Sequence, residues 1–138
     1  MRLELSKRTD MALQALACLD PDDGLSGADL ASAIGTTVNY LPQVLRPLVV
    51  SELVCSTPGP GGGYRLSVDL EDLSVLEVIE AVEGGLDQTT CVLRGAPCPA
   101  TDHCALHDSW QRARGALLTE LGVTSVASTL VPAPKKGE

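Results

Sequence analysis

Between Cys91 and His107 the chain reads CVLRGAPCPATDHCALH: three cysteines at intervals of seven and six, with a histidine three residues past the last. Gly95, Pro97 and Pro99 interrupt the stretch, so it forms a loop and not a helix or strand. Without a regular backbone to hold them apart, its thiolates can gather around one centre. The chain has five cysteines, and an odd number fits poorly with a purely disulfide framework. Clustered thiols in a reducing compartment read first as metal-binding or redox-active. Thiolates are soft ligands that suit an iron–sulfur cluster.

The N-terminus MRLELSKRTD has no apolar signal-peptide core, and no apolar run approaches membrane-spanning length. A cytoplasmic protein with no membrane partner is expected. The net charge of −8 argues against non-specific nucleic-acid binding, which needs a basic footprint. Residues 1–65 hold Arg2, Lys7, Arg8, Arg46 and Arg65 against seven acids. Any DNA contact must therefore come from fold and local placement. Aromatics are only 2% and Phe is absent, so the core must be built from Leu, Val, Ala and Ile.

Local patterns give a mainly α fold with a small β-hairpin. Residues 6–19 read as a helix, with Ala12, Leu13, Leu16 and Leu19 on one face and Ser6 or Thr9 as its cap. Cys18 lies among apolar neighbours and is expected in the core. Asp10 falls in the first turn, where a surface carboxylate suits the helix dipole on general grounds. Ser26 opens a short helix that Gly35 ends, and a second helix is expected from near Thr37 to about Leu53.

Leu41, Val44, Leu45 and Leu48 form the inward stripe of that second helix, while Thr36, Thr37, Asn39, Tyr40, Gln43 and Arg46 face outward. The pair makes a helix-turn-helix, and its outer face carries residue types that reach bases and phosphates. Pro42 is tolerated if the helix starts late. Pro47 should kink the helix or cost about 3 kcal/mol.

Residues 54–68 alternate at both ends around a Gly/Pro-rich middle, the pattern of a hairpin wing, in which Gly61 and Gly62 permit close approach and Tyr64 and Arg65 follow. No Lys-Ser/Thr follows Gly63, so the loop is not a nucleotide-hydrolysing one. Ser74-Val-Leu-Glu77 is a capping box that opens a helix ended by Gly84-Gly85. After Cys104 a long helix is expected, with Leu106, Trp110, Ala113, Leu117 and Leu121 in one stripe. A domain this small cannot bury all of it, and a two-fold dimer helix is the natural use. The chain thus divides into 1–84 (winged helix-turn-helix), 85–104 (cysteine loop), 105–130 (dimerisation helix and C-terminal segment) and a disordered tail, 131–138.

These residues together resemble the winged-helix iron–sulfur regulators that include NsrR and IscR (the Rrf-two family). GPGGGYRL (59–66) looks like that family's wing, SVLEVIEAVEG (74–84) like its linker helix, and the three cysteines like its cluster signature. The resemblance implies a homodimeric transcription factor, a repressor rather than an enzyme, on palindromic double-stranded operator DNA. It implies an iron–sulfur cluster held by Cys91, Cys98 and Cys104, with nitric oxide or redox state as the signal.

Two fourth ligands compete. Thr9-Asp10-Met-Ala-Leu13 is similar to the NsrR branch, in which an aspartate of the partner subunit completes a [4Fe–4S] cluster. Cys104-Ala-Leu-His107 is similar to the IscR branch, in which histidine holds a [2Fe–2S] cluster for iron–sulfur homeostasis. The sequence around Asp10 favours the first.

Two departures stand out. The first cysteine interval is one residue longer than usual, and Pro58 stands where the family often has a wing arginine, leaving Arg8, Arg46 and Arg65 for phosphate contacts. Three rivals remain open: a metal-stapled interaction module that does not bind DNA, a redox enzyme or electron carrier, and a metal-free thiol sensor.

Overall fold

The computed structural model describes residues 1–130; the segment read as a disordered tail, 131–138, lies outside the described residues. Six helices and one two-stranded antiparallel sheet follow in the order α1 (Lys7–Cys18), α2 (Gly27–Ala33), α3 (Leu41–Val50), β1 (Val54–Thr57), β2 (Gly63–Leu66), α4 (Val75–Glu83), α5 (His107–Val123) and α6 (Val126–Thr129). The expected class, mainly α with a β-hairpin wing, is the one observed.

Serine hydroxyls set four of the helix starts, the fourth being Ser125 before α6. Ser6 accepts from the Thr9 N–H, Ser26 from Asp29 and Ser74 from Glu77, the last in a full capping box. Around these starts a Leu/Val/Ala core forms from Ala12, Ala15, Leu16, Leu30, Leu45, Leu48, Val78 and Ile79. A fully buried leucine such as Leu48 contributes about 1.5–3 kcal/mol over an exposed one. Cys18 is exposed, against expectation. It sits two residues past the buried Leu16, and that spacing turns it to the far side of α1.

The recognition-helix candidate is shorter at both ends than the expected Thr37–Leu53. Thr37 to Tyr40 form a turn in which Thr37 Oγ1 accepts from the Tyr40 N–H at 3.1 Å. α3 therefore starts at Leu41, and Pro42 falls in its first turn, where its missing N–H costs nothing. Pro47 stays inside the helix. At the far end Glu52 adopts φ +61, with its N–H on the Val49 carbonyl and the Leu53 N–H on the Leu48 carbonyl. That is a Schellman stop built on a non-glycine residue. The stripe Leu41, Val44, Leu45 and Leu48 is buried as expected.

The wing pairs Val54 with Leu66 through Thr57 with Gly63. Its base is fastened to the segment before α2, since Leu25 and Tyr64 exchange backbone hydrogen bonds at 3.0 and 2.8 Å. Glycine is required at Gly63, where φ is +143 and a Cβ would run into the Leu25 carbonyl.

α4 and α5 lie antiparallel, joined by the cysteine loop at one end. At the other end Val75 N–H donates to Thr124 O and Val126 N–H to Leu73 O, at 2.9 and 2.7 Å. Val126 is fully buried there. No residue of α5 is fully buried. Its half-buried face is His107, Trp110, Arg114, Leu118 and Leu121, whereas Leu106, Ala113 and Leu117 of the expected stripe are exposed. The stripe is thus only partly covered within one chain: Trp110 and Leu121 turn inward, beside the polar His107 and Arg114, and the rest stays open. Among the described residues, no helix is long and apolar enough to cross a membrane.

Candidate functional site

The cysteine loop begins in an Asx turn. Asp87 Oδ1 accepts from the backbone N–H groups of Thr89 and Thr90 and from the Thr89 hydroxyl. Hydrogen bonds from Thr90 and Thr89 hold its carboxyl far below the usual range. The chain then doubles back: Cys91 N–H donates to Ala96 O at 3.0 Å, Gly95 turns with φ +67, and Thr90 bridges Pro97. Cys91 and Cys98 end up on either side of this turn. Arg94 closes the remainder, donating to the Asp102 carbonyl at 2.8 Å and reaching its carboxylate at 3.3 Å. An exposed pair of this kind contributes at most about 1 kcal/mol, so its effect is to shape the loop rather than to stabilise the fold.

The three expected thiols converge. The sulfurs of Cys91, Cys98 and Cys104 lie within 4.8 Å of one another, and Cys91 Sγ sits 3.4 Å from Cys104 Sγ. Cys91 is buried and the other two are half-buried. The Leu93 N–H, at 3.4 Å from its sulfur, leads the effects that bring the Cys91 thiol down to about 7. At Cys98 the Cys104 N–H pulls downward, but desolvation and the neighbouring thiols outweigh it and the thiol is pushed up. A compact donor set with one thiol ready to ionise near neutrality fits a soft metal centre.

Neither candidate fourth ligand joins the thiols within that radius in the one chain, among the described residues. His107 lines the same small cavity as Cys91 and Cys104, yet its ring stacks on His103 at 3.7 Å. Asp10 is exposed on the first turn of α1, where Gln14 Nε2 donates to it at 3.0 Å.

Of the DNA-face candidates, Thr37, Asn39, Gln43, Arg46 and Gly61 are exposed, and Thr36 and Tyr40 are half-buried. Gly62 is needed inside the wing turn, because a Cβ there would meet the Thr57 carbonyl. Tyr64 is half-buried and packs against the core. Arg65 folds back onto its own chain and donates to the Asp22 carbonyl. Arg8 donates to the Val82 carbonyl at 2.6 Å. Arg46 alone of these three arginines makes no hydrogen bond or ion pair among the described residues.

Sequence reasoning missed the Arg94–Asp102 clasp, which no local pattern signals. It also missed Arg114, although the interval of seven from His107 places both on one face of α5.

The Rrf2 family profile, described as that of an iron-dependent transcriptional regulator, matches residues 5–131. The chain belongs to the Rrf2 family. Among curated relatives it is 39% identical over 84 residues to the HTH-type transcriptional regulator IscR of Escherichia coli O1:K1, a match covering 61% of this chain and 51% of that protein. The chain spans about half the length of that relative. IscR of Cronobacter sakazakii is 35% identical over 112 residues, covering 80% of this chain and 68% of its own.

Among solved structures, T. potens IscR superposes with a TM-score of 0.72 at 24% identity, covering 99% of this chain and 92% of that one. CymR, titled the global cysteine regulator of B. subtilis, gives 0.76 at 22% identity over 96% and 100%. At such identities these two show the fold alone. The likeness of this Rrf2 chain is thus to IscR-type members, and its NsrR-branch features stand on the residues only. The named relatives are regulators, in agreement with the expectation that the chain is not an enzyme.

Proposed function

We propose that this Rrf2 chain is a homodimeric, DNA-binding transcriptional repressor whose affinity is set by an iron–sulfur cluster on Cys91, Cys98 and Cys104. The observation that carries the reading is the convergence of the three thiols within 4.8 Å on a loop between the linker helix and α5. Residues 1–84 form the DNA-binding unit, 85–104 the sensor loop and 105–130 the dimerisation segment. The outer face of α3, with Gln43 and Arg46, enters a major groove of a palindromic operator in each half-site. Leu117 and Val123, exposed on α5, and Leu106 at its N-cap supply apolar surface for a second copy.

When bound, the cluster supplies an iron whose non-thiolate ligand is its weak point toward nitric oxide or an oxidant. The protein's own residues carry the rest. Asp10 of the partner subunit is the favoured fourth ligand, in a [4Fe–4S] centre. It stands next to Thr9, which is hydrogen-bonded to Glu83 at the root of the cysteine loop. Losing that ligand frees one subunit from the other's loop and changes the dimer geometry that sets half-site spacing, a shift between two populations. A second reading, with His107 and a [2Fe–2S] centre in iron–sulfur homeostasis, is supported by the cavity that His107 shares with Cys91 and Cys104 and by the IscR relatives.

The test is anaerobic purification with iron and sulfide counts, absorbance and electron paramagnetic resonance, followed by gel shifts on a palindromic promoter fragment before and after nitric oxide. Brown protein whose DNA affinity changes with cluster state is expected. Colourless, zinc-containing protein would sink the cluster and favour a metal-stapled interaction module. Absence of a salt-dependent shift in every cluster state would sink the regulator.

A further inference from the structure

Arg114 is a half-buried cation left unused by this reading. It lies on the half-buried face of α5 and lines the cavity that also contains Cys91, Cys104 and His107. Its Nη2 reaches the Thr90 carbonyl at 3.4 Å, a weak anchor near the limit of a hydrogen bond. Its Nη1 is shielded from solvent and has no hydrogen-bond partner among the described residues. An unanswered guanidinium N–H is costly, because the loss of hydration is not repaid. Among the described residues the Thr90 carbonyl engages this guanidinium, and it does so through Nη2 and not Nη1. What the cavity does hold is sulfur donors that turn anionic when they ligate metal.

We infer that Arg114 is the counter-cation of the cysteine centre, its shielded Nη1 answered by anionic charge when Cys91, Cys98 and Cys104 hold a thiolate-ligated cluster. This rests on the cluster reading and deepens it. Three thiolates bring more negative charge than the few backbone N–H groups beside them, from Leu93, Arg94 and Cys104, can offset, and charge and hydrogen bonds around sulfur set the potential of such a centre. A fixed positive charge favours the reduced, more negative state and so raises the reduction potential. It also couples the helix to the loop, since Arg114 is fully satisfied only when the loop is loaded. Arginine suits the position because its guanidinium is weakly hydrated and holds its charge when buried.

The test compares wild type, Arg114→Met and Arg114→Lys, each reconstituted anaerobically. Reduction potential and thermal midpoint are measured with and without the cluster. The methionine variant should shift the potential to more negative values, with lysine closer to wild type. Without the cluster its midpoint should equal or exceed wild type, because a shielded, unpartnered N–H has been removed. With the cluster it should fall below wild type. A residue that merely packs would lose the same midpoint in both states and leave the potential unmoved, and that result overturns the inference. Failure of Arg114→Met to load, restored by Arg114→Lys, supports it as well. Wild type that assembles no iron and sulfide sinks the cluster reading and this inference together, an outcome distinct from a loaded wild type matched in potential by both variants.

Discussion

The Thr9 hydroxyl donates to Glu83 Oε1 at 2.5 Å and ties the first turn of α1 to the last turn of α4. Ser6 N–H reaches the same oxygen at 2.9 Å, and Arg8 reaches the Val82 carbonyl beside it at 2.6 Å. Asp10 and the root of the cysteine loop therefore move as one piece within each chain. Thr9 is fully buried, so its hydroxyl has no water to fall back on. Thr9→Val should destabilise the fold by about 1–2 kcal/mol at neutral pH. The Thr9 hydroxyl, followed by Ser6, holds the Glu83 carboxyl below the usual glutamate range. A depressed carboxylate stabilises above its unfolded pKa, about 4.3, and loses that contribution as pH falls through the lower folded value. The gap between wild type and variant should narrow between pH 7 and pH 3.5 in denaturant titrations. A gap that widens in acid would show that the ionised carboxylate is not the partner.

The choice of fourth ligand separates cleanly by spectroscopy. Asp10→Ala should leave iron bound but speed its loss to nitric oxide, while Cys98→Ala should abolish the chromophore. If His107→Ala alters the spectrum and Asp10→Ala does not, the histidine reading replaces the aspartate one.

Arg46 is exposed on α3, and no residue of its own chain pairs with it among the described residues. Arg46→Ala should weaken operator binding, lower the salt slope by about 1 and leave the cluster absorbance unchanged. Arg65→Ala should do less to DNA affinity, because that guanidinium is engaged by Asp22. Equal losses in the two variants would place the wing, not α3 alone, on the backbone.

Gly63→Ala should cost about 1–3 kcal/mol, since φ is +143 and the new methyl meets the Leu25 carbonyl. The damage should concentrate in the wing, seen as faster amide exchange at Leu25 and Tyr64, with α4 and α5 unaffected. A midpoint equal to wild type would mean that the wing does not depend on this close approach.

Leu117 is 45% exposed, so a charge there burdens the single chain little. Leu117→Glu should convert a dimer to monomer in sedimentation while keeping the helical circular dichroism. A dimer that persists unchanged would move the interface off this face of α5.

How much of this was legible in the sequence depends on how local the signal is. Ser6, Ser26 and Ser74 announce α1, α2 and α4 because a cap and the N–H that donates to it lie three residues apart. The thiols were legible because type and spacing carry their chemistry. The end of α3 was not, since the stop uses Glu52 in a left-handed conformation, with no glycine to mark it. The inner face of α5 was half legible, because apolar periodicity finds Trp110 and Leu121 but passes over His107 and Arg114, the polar residues that meet the loop. Thr9 and Glu83 are separated by 74 positions, and no pattern in the chain links a threonine to a glutamate at that distance.

The backbone clamp between Leu73–Val75 and Thr124–Val126 closes α4, the cysteine loop and α5 into a ring whose seal lies at the opposite end from the thiols. Residues inserted between Cys91 and Cys98 consequently change the circumference of the ring and leave its seal untouched. The loop can therefore change length through descent without renegotiating the helices that frame it. The extra residue in the first cysteine interval is the kind of change such a ring absorbs.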